Sequence, residues 1–390
     1  MTRVVVLGAG IVGAACAREL ARAGCAVTVV ERGRPAAATT AHGEGNVLVS
    51  DKEPGPELEL ARLSRRLWPR VLAELPDAGA AEWEPKGGIV VATTEPGAAA
   101  LRDLAAGQRA AGVAAAELDA ADLAAAEPHL TRDVAGAVHY PEDAQVQPAG
   151  AATALLAAAA AAGARLRTGC AVLGAVTRGG RITGVRTSAG IVEGDAFVNA
   201  AGPWSGEVAA RLGVRLDVLP RRGEVLVTAP QPPTVFHKVY DAGYVGAVGS
   251  GAGELQASAV VESTRAGTIL LGSSRRRVGF DDRLRPGVLS VIARRALRLF
   301  PSLAGVPVMR AYGGFRPYTA DHLPVIGADP DLPGLWHATG HEGAGIGLSA
   351  GTAAVLRDLM LGREPETDAE PFRVDRPAVR PAARPGGGPG

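Results

Sequence analysis

The chain has 390 residues, 41 basic against 40 acidic side chains, a formal net charge of +1, and 47% apolar residues. That composition supports a large buried core and reads as a globular protein of two domains. The charge balance argues against a nucleic-acid partner, which would draw a net basic excess.

Arg3–Leu7 is a β-branched run ending in glycine, and an Ala-rich amphipathic helix over Ile11–Ala23 follows, with Gly24 as its C-cap. Ala26–Val30 is a second apolar strand, so the N-terminus forms a βαβ unit. A polar stretch, Thr39–Asn46, precedes a helix over Glu57–Leu75 that carries Trp68. Strands at Glu84–Thr93 and Ala135–Tyr140 flank helices at Ala98–Ala111 and Ala120–Ala126. Pro148–Ala162 is a helix, Arg165–Gly194 alternates short strands with glycine turns as a meander does, and Ala196–Ala201 is a buried strand. Strands follow at Glu224–Thr228, Lys238–Val248, Glu254–Val261 and Thr268–Gly272, then a helix at Val288–Phe300. Leu335–Thr339 is a strand, Gly345–Leu361 is a helix, and the Pro/Arg/Gly-rich composition from Arg376 predicts a disordered tail.

Nucleotide-type βα elements thus lie at both ends of the chain, with β-rich segments between them. The expected fold is α/β (α+β overall): a Rossmann-like domain assembled from discontinuous segments, 1–80, 145–215 and 312–375, beside a mostly antiparallel domain, 81–144 and 216–311, with 376–390 as tail.

The sharpest motif is Gly8-Ala9-Gly10-Ile11-Val12-Gly13, a GxGxxG placed between a strand and a helix. Gly8 permits the tight turn, Gly10 lets a pyrophosphate approach the helix N-terminus, and Gly13 permits close helix–strand packing. Glu31 ends the second strand 18 residues after Gly13, near the spacing of about 20 expected for a ribose-binding acid. A glycine-rich turn with an incidental acid is the plain alternative. The fingerprint alone does not separate NAD from FAD.

Four further segments do. Thr39-Thr40-Ala41-His42-Gly43-Glu44-Gly45-Asn46, Val198-Asn199-Ala200-Ala201-Gly202-Pro203-Trp204-Ser205, Gly314-Phe315-Arg316-Pro317-Tyr318-Thr319 and Thr339-Gly340-His341-Glu342-Gly343-Ala344-Gly345-Ile346-Gly347 lie in order along the chain. With the N-terminal motif they resemble the D-amino-acid oxidase/glycine oxidase superfamily of FAD-dependent amine oxidoreductases. Ser64–Trp68, Arg221–Thr228 and Gly272–Asp281 look most like its hydrogen-cyanide-synthase, opine-oxidase and D-hydroxyproline-dehydrogenase branch.

The resemblance implies FAD, held by Gly8, Gly10, Ile11, Val12, Gly13, Glu31, Arg32, Thr39, Thr40, the Val172 backbone at the adenine, Ala200, Gly202, and the Gly340, Gly343, Ala344, Gly345, Ile346, Gly347 run at a helix start. It implies that Arg316 pairs with the substrate carboxylate, as a guanidinium fork suits a planar carboxylate; a surface arginine in a Pro-rich turn is the alternative. His42 lies in a stretch that reads "HGD-x-R" in sarcosine-oxidase relatives, where Asn46 here replaces the basic residue and removes a charge beside the ring. A plain loop histidine remains equally open. Tyr244 and Tyr312 are scarce aromatics that could line the pocket, with core packing as the competing role, and Arg275–Arg277 reads as a solvated strand end or interface patch.

The implied reaction is oxidation of the C–N bond of a small amino or imino acid (glycine, a D-amino acid, D-hydroxyproline or an N-alkyl amino acid) by hydride transfer to flavin N5. No cysteine follows Cys170, so the covalent-flavin cysteine of some relatives is missing and FAD is expected to be non-covalent. Thr268–Gly272 carries no lysine where sarcosine oxidases place one, which favours a dehydrogenase over an oxidase. A flavin-bearing subunit working with electron-transfer partners, and an NAD-dependent dehydrogenase, are the alternatives. Cys16, Cys25 and Cys170 show no metal-ligand spacing and, with no leader or stretch long enough to span a membrane, point to the cytoplasm.

Overall fold

A computed structural model of the protein describes residues 1–380. The first strand, Arg3–Leu7, lies near the centre of a six-stranded sheet, between Ala196–Asn199 and Ala26–Val30. Leu335–Thr339 and Arg165–Arg167 extend that sheet in parallel, and only the edge strand Val325–Ala328 runs antiparallel. The unbroken apolar run of the first strand follows from this position: Val4 and Val6 face one core, Val5 and Leu7 another.

The first core is covered by the helices Ile11–Arg22, Pro148–Ala161 and Gly345–Met360, with Pro56–Ala73 packed outside the last. The second lies under a three-stranded meander, Val172–Arg178, Arg181–Thr187 and Gly190–Glu193, and the helix Ser205–Leu212. Arg165–Arg167, expected within the meander, instead pairs in parallel with Ala26–Val30, because the apolar residues of that strand offer an open parallel edge.

The remaining strands build an eight-stranded sheet in the order Val308–Tyr318, Leu219–Thr228, Ile269–Arg275, Gln256–Ser263, Lys238–Asp241, Gly88–Ala92, Gly136–Tyr140 and Ala116–Leu118. All its pairings are antiparallel except that of Lys238–Asp241 with Gly88–Ala92. The helix Pro286–Leu299 covers one face through Val288, Ile292, Ala296 and Leu299. The expected strand Lys238–Val248 stops at Asp241, whose side chain accepts from the Gly243 amide at 2.8 Å and starts the short helix Gly243–Val248.

Residues 376–380 are ordered, in contrast to the compositional expectation. Arg376 pairs with Asp321, Val379 is fully buried against the meander core, and Arg380 reaches Asp331 at 2.7 Å. The rest of the expected tail, 381–390, lies outside the described residues.

The Gly347 carbonyl, in the first turn of the helix Gly345–Met360, accepts from Trp68 Nε1 at 3.0 Å and from the Ser64 hydroxyl. Trp68 is fully buried, so it anchors that turn to the helix Pro56–Ala73. Trp68→Phe, which keeps most of the packing and removes the donor, is expected to cost about 1–2 kcal/mol in urea unfolding. An unchanged midpoint would show that the Ser64 bond alone suffices.

Candidate active site

The strand ends Leu7, Val30 and Ala200, the first turns of two helices and one face of the eight-stranded sheet surround a single cleft of about 1640 Å3, its open mouth included. It lies at the carboxyl edge of the parallel sheet, where folds of this type hold ligands. Gly8 adopts φ +115°, and a Cβ there would stand 2.6 Å from the Ala200 carbonyl oxygen. A Cβ on Gly13 would collide with the Gly8 carbonyl, so only glycine lets the first helix start this close to the strands.

Neither the helix beginning at Ile11 nor that beginning at Gly345 has its N-cap residue's side chain bonded to its first turn. The Ile11 amide is met by Thr40 Oγ1 at 3.0 Å. Both helix starts line the cleft, and their positive ends suit an anionic ligand. Gly202, at φ +57°, exposes bare backbone with nothing within 4 Å of where a Cβ would lie. Glu31 accepts from the Ala9 amide at 2.9 Å and the Gly33 amide at 2.8 Å, which fixes its carboxylate at the end of the second strand. The Arg32 guanidinium lies 4.0 Å over the Trp204 ring, which stacks on Phe280.

Of the residues expected to hold FAD, Gly8, Gly10, Ile11, Val12, Glu31, Arg32, Thr39, Thr40, Val172, Ala200, Gly202, Gly343, Gly345 and Ile346 line the cleft. Gly13, Gly340, Ala344 and Gly347 stand behind its wall, where Gly340 turns the chain at φ +78°. The Val172 carbonyl accepts from Arg211 Nη1 at 3.1 Å, and Thr39 donates to the Phe315 carbonyl at 2.7 Å.

At the other end of the cleft, Arg316 is half-buried and donates to the Ser274 carbonyl at 2.9 Å. Burial, reinforced by Arg275 nearby, pushes its guanidinium down to about 10, so it stays charged at neutral pH. Gly223 makes room for it: a Cβ there would collide with the guanidinium. His42 lines the cleft, its Nδ1 2.7 Å from the Ala38 carbonyl, and Tyr244 lines it as well. Tyr312, opposite Val225 on the sheet, is not among the lining residues; it lies 5.7 Å from the His42 ring and against Val225, Val227 and Leu270, and burial raises its phenol well above the usual range.

Several charges were not legible in the sequence. Arg275 is 2% exposed, not a solvated strand end, because it faces the Tyr244 ring across the interior of the sheet. Arg221 pairs with Glu342 at 3.0 Å, and Glu342 also meets His322. The resemblance implied a missing charge at Asn46, but a cation stands against that residue: Lys238 Nζ donates to Asn46 Oδ1 at 2.6 Å and to Glu262 at 3.1 Å, with Glu44 at 3.8 Å. Lys238 lies 192 positions away in the chain, and nothing local marks the pairing.

Residues 3–359 match the family described as FAD dependent oxidoreductase. The chain belongs to that family. FAD is its cofactor, and the two helix starts facing the cleft, the bare backbone at Gly202 and the anchored Glu31 carboxylate fit a dinucleotide. The chain is 31% identical to a glycine oxidase of Geobacillus kaustophilus over 96% of both chains, and 32% identical to a D-amino acid dehydrogenase of Cereibacter sphaeroides over 97% of this chain and 98% of that one. It is also 31% identical to the bifunctional protein ThiO/ThiG of Nostoc, of which it spans about half, 55%, while 96% of this chain is matched. The crystal structure of the Geobacillus kaustophilus glycine oxidase superposes with a TM-score of 0.87 at 29% identity, covering 96% of this chain and 99% of that one.

Replacing Glu31 by glutamine leaves one of its two backbone amides facing an N–H instead of a carboxylate oxygen. Glu31→Gln is expected to weaken FAD binding by about tenfold (~1.4 kcal/mol), read by flavin fluorescence on reconstituting apoprotein. Equal affinity would remove Glu31 from the cofactor site.

Proposed function

We propose that the protein oxidises the C–N bond of a small amino or imino acid, with the substrate carboxylate held by Arg316. The observation that carries this reading is a charged, half-buried guanidinium with no carboxylate partner among the described residues, set in the cleft that fits FAD. The names of the relatives, glycine oxidase and D-amino acid dehydrogenase, support glycine or a D-amino acid as substrate; D-hydroxyproline and N-alkyl amino acids fit the same chemistry.

Arg316 orients the substrate through a two-point carboxylate contact, so that the α-hydrogen and the neutral amine take one defined position. Its own geometry is held by the Ser274 carbonyl and the space at Gly223. His42 and Tyr244 shape the wall beside it. FAD, when bound, would supply the two-electron acceptor for the α-hydrogen, which leaves as hydride. Loss of an N–H proton to water leaves an imine, and hydrolysis of a primary imine gives the oxo acid and ammonia.

The cofactor in this reading is non-covalent. Cys16 and Cys25 are buried in the helical core, and Cys170 is 1% exposed with its thiol donating to Thr187 Oγ1 at 3.2 Å. Three free, buried thiols suit a reducing compartment such as the cytoplasm, and among the described residues no helix is long and apolar enough to cross a membrane. Electrons pass to an acceptor other than oxygen, which could be a partner subunit: Lys238, the cation beside Asn46, is neutralised by Glu262 and Glu44 and so offers little free charge to stabilise reduced oxygen.

Anaerobic addition of amino and imino acids is expected to bleach the bound flavin, and failure of every amine would end this reading. Arg316→Ala should weaken substrate binding by about 2–4 kcal/mol, read from the concentration dependence of bleaching, the scale for losing a buried charge partner. Reduced enzyme is expected to reoxidise slowly in air and quickly with an artificial acceptor; fast reoxidation in air would make it an oxidase.

A further inference from the structure

Two guanidiniums on the cleft face of the eight-stranded sheet have no carboxylate within ion-pair distance among the described residues, although the charge of Glu44, which lines the cleft, acts on Arg316 from farther off. Arg275, at the end of the strand Ile269–Arg275, is 2% exposed, and its Nη1 donates to Ser273 Oγ at 3.3 Å. Its guanidinium lies 4.5 Å over the ring of Tyr244, which lines the cleft together with Arg316. Arg316 donates to the carbonyl of Ser274, the residue before Arg275. Among the described residues neither arginine has a carboxylate within ion-pair distance, whereas Arg221 and Arg276 pair with Glu342 and Glu224.

The strand register places Arg275 on the cleft side. It stands opposite Gln256, whose Oε1 accepts from Arg221 at 2.9 Å on that face. Arg276 points the other way, bridging Arg222 and pairing with Glu224 beneath the sheet.

A buried ionised group without a partner is costly, and two like charges side by side cost more. Burial first, and then the nearby charge of Arg275, holds the Arg316 guanidinium below its usual range. One carboxylate satisfies one fork through two parallel hydrogen bonds and leaves the second arginine uncompensated. Stacking on Tyr244 holds the Arg275 plane in place but adds no negative charge.

We propose that Arg275 is a second carboxylate-binding residue, and that the substrate is an amino or imino acid with two carboxylates, one on Arg316 and the other on Arg275. The proposal rests on amine oxidation at this cleft and narrows its substrate class to dicarboxylates. The reaction is unchanged, since the second carboxylate takes no part in the loss of hydride and proton.

The test uses purified holoenzyme under anaerobic conditions. Glycine, N-methylglycine and D-alanine are compared with D-aspartate, D-glutamate and iminodiacetate by flavin bleaching, and acetate is compared with succinate as unreactive ligands by perturbation of the flavin spectrum. At least one dicarboxylate amine is expected to have an apparent Kd at least about tenfold below its monocarboxylate counterparts, and succinate is expected to outcompete acetate. Arg275→Met should bring that ratio close to one, with Arg275→Lys restoring part of it. The wild-type comparison of succinate with acetate holds even if a variant fails to retain flavin. Bleaching by glycine or D-alanine with no dicarboxylate preference would overturn this proposal and leave amine oxidation standing. Tighter succinate binding with no bleaching by any amine would support the paired arginines and sink amine oxidation.

Discussion

The close approach of three backbone segments at Gly8 governs the rest of the molecule. The turn after the first strand, the start of the first helix and the end of the strand Ala196–Asn199 meet where a single Cβ on Gly8 or Gly13 would collide with a carbonyl oxygen. That contact sets the first helix directly above the sheet edge and leaves its N-terminal amides facing a cleft. The helix Gly345–Met360, tied by its first turn to Trp68 and Ser64, brings a second helix start to the same space. Two partial positive charges and a line of bare backbone then suit that space to an anionic dinucleotide.

The eight-stranded sheet contributes the other half of the site through charge. One face is closed by the helix Pro286–Leu299 over an apolar core, while the cleft face carries Arg221, Arg275 and Arg316. Arg221 is neutralised by Glu342, a residue held in the left-handed region at φ 45° on the turn before the second helix start. The electrostatic character of the substrate end therefore depends on which arginines find an internal carboxylate. That is decided by strand register, since adjacent residues such as Arg275 and Arg276 face opposite sides.

Much of the cofactor end was legible in the chain. Glycines in a turn between strand and helix, an acid at the end of the next strand and a glycine run before a late helix are local patterns with local physical causes, and most of those residues do line one cleft. Tyr312 and Tyr244 show where legibility ends. Both are scarce aromatics, yet Tyr244, on the short helix Gly243–Val248, lines the cleft, while Tyr312, opposite Val225 on the sheet, packs against Val225, Val227 and Leu270, a difference set by tertiary packing. The strand Lys238–Asp241 ended early for a similar reason, because an Asp side chain bonding two residues ahead outweighed the apolar pattern of the segment.

By itself the sequence determined the α/β class, which follows from local periodicity, and the βα fingerprint at its N-terminus; the kind of cofactor came from motifs spread along the whole chain that resemble a known family, since glycine spacing alone left NAD and FAD open. Tertiary structure alone decided the state of the charges. Lys238 meets Asn46 across 192 positions, Arg276 meets Glu224 across 52, and Arg275 and Arg316 meet no carboxylate among the described residues. Pairing of a buried charge is a long-range property set by register and by the packing of one sheet against the other. In a chain with 41 basic residues, composition could not indicate which of them would be left without a carboxylate beside them.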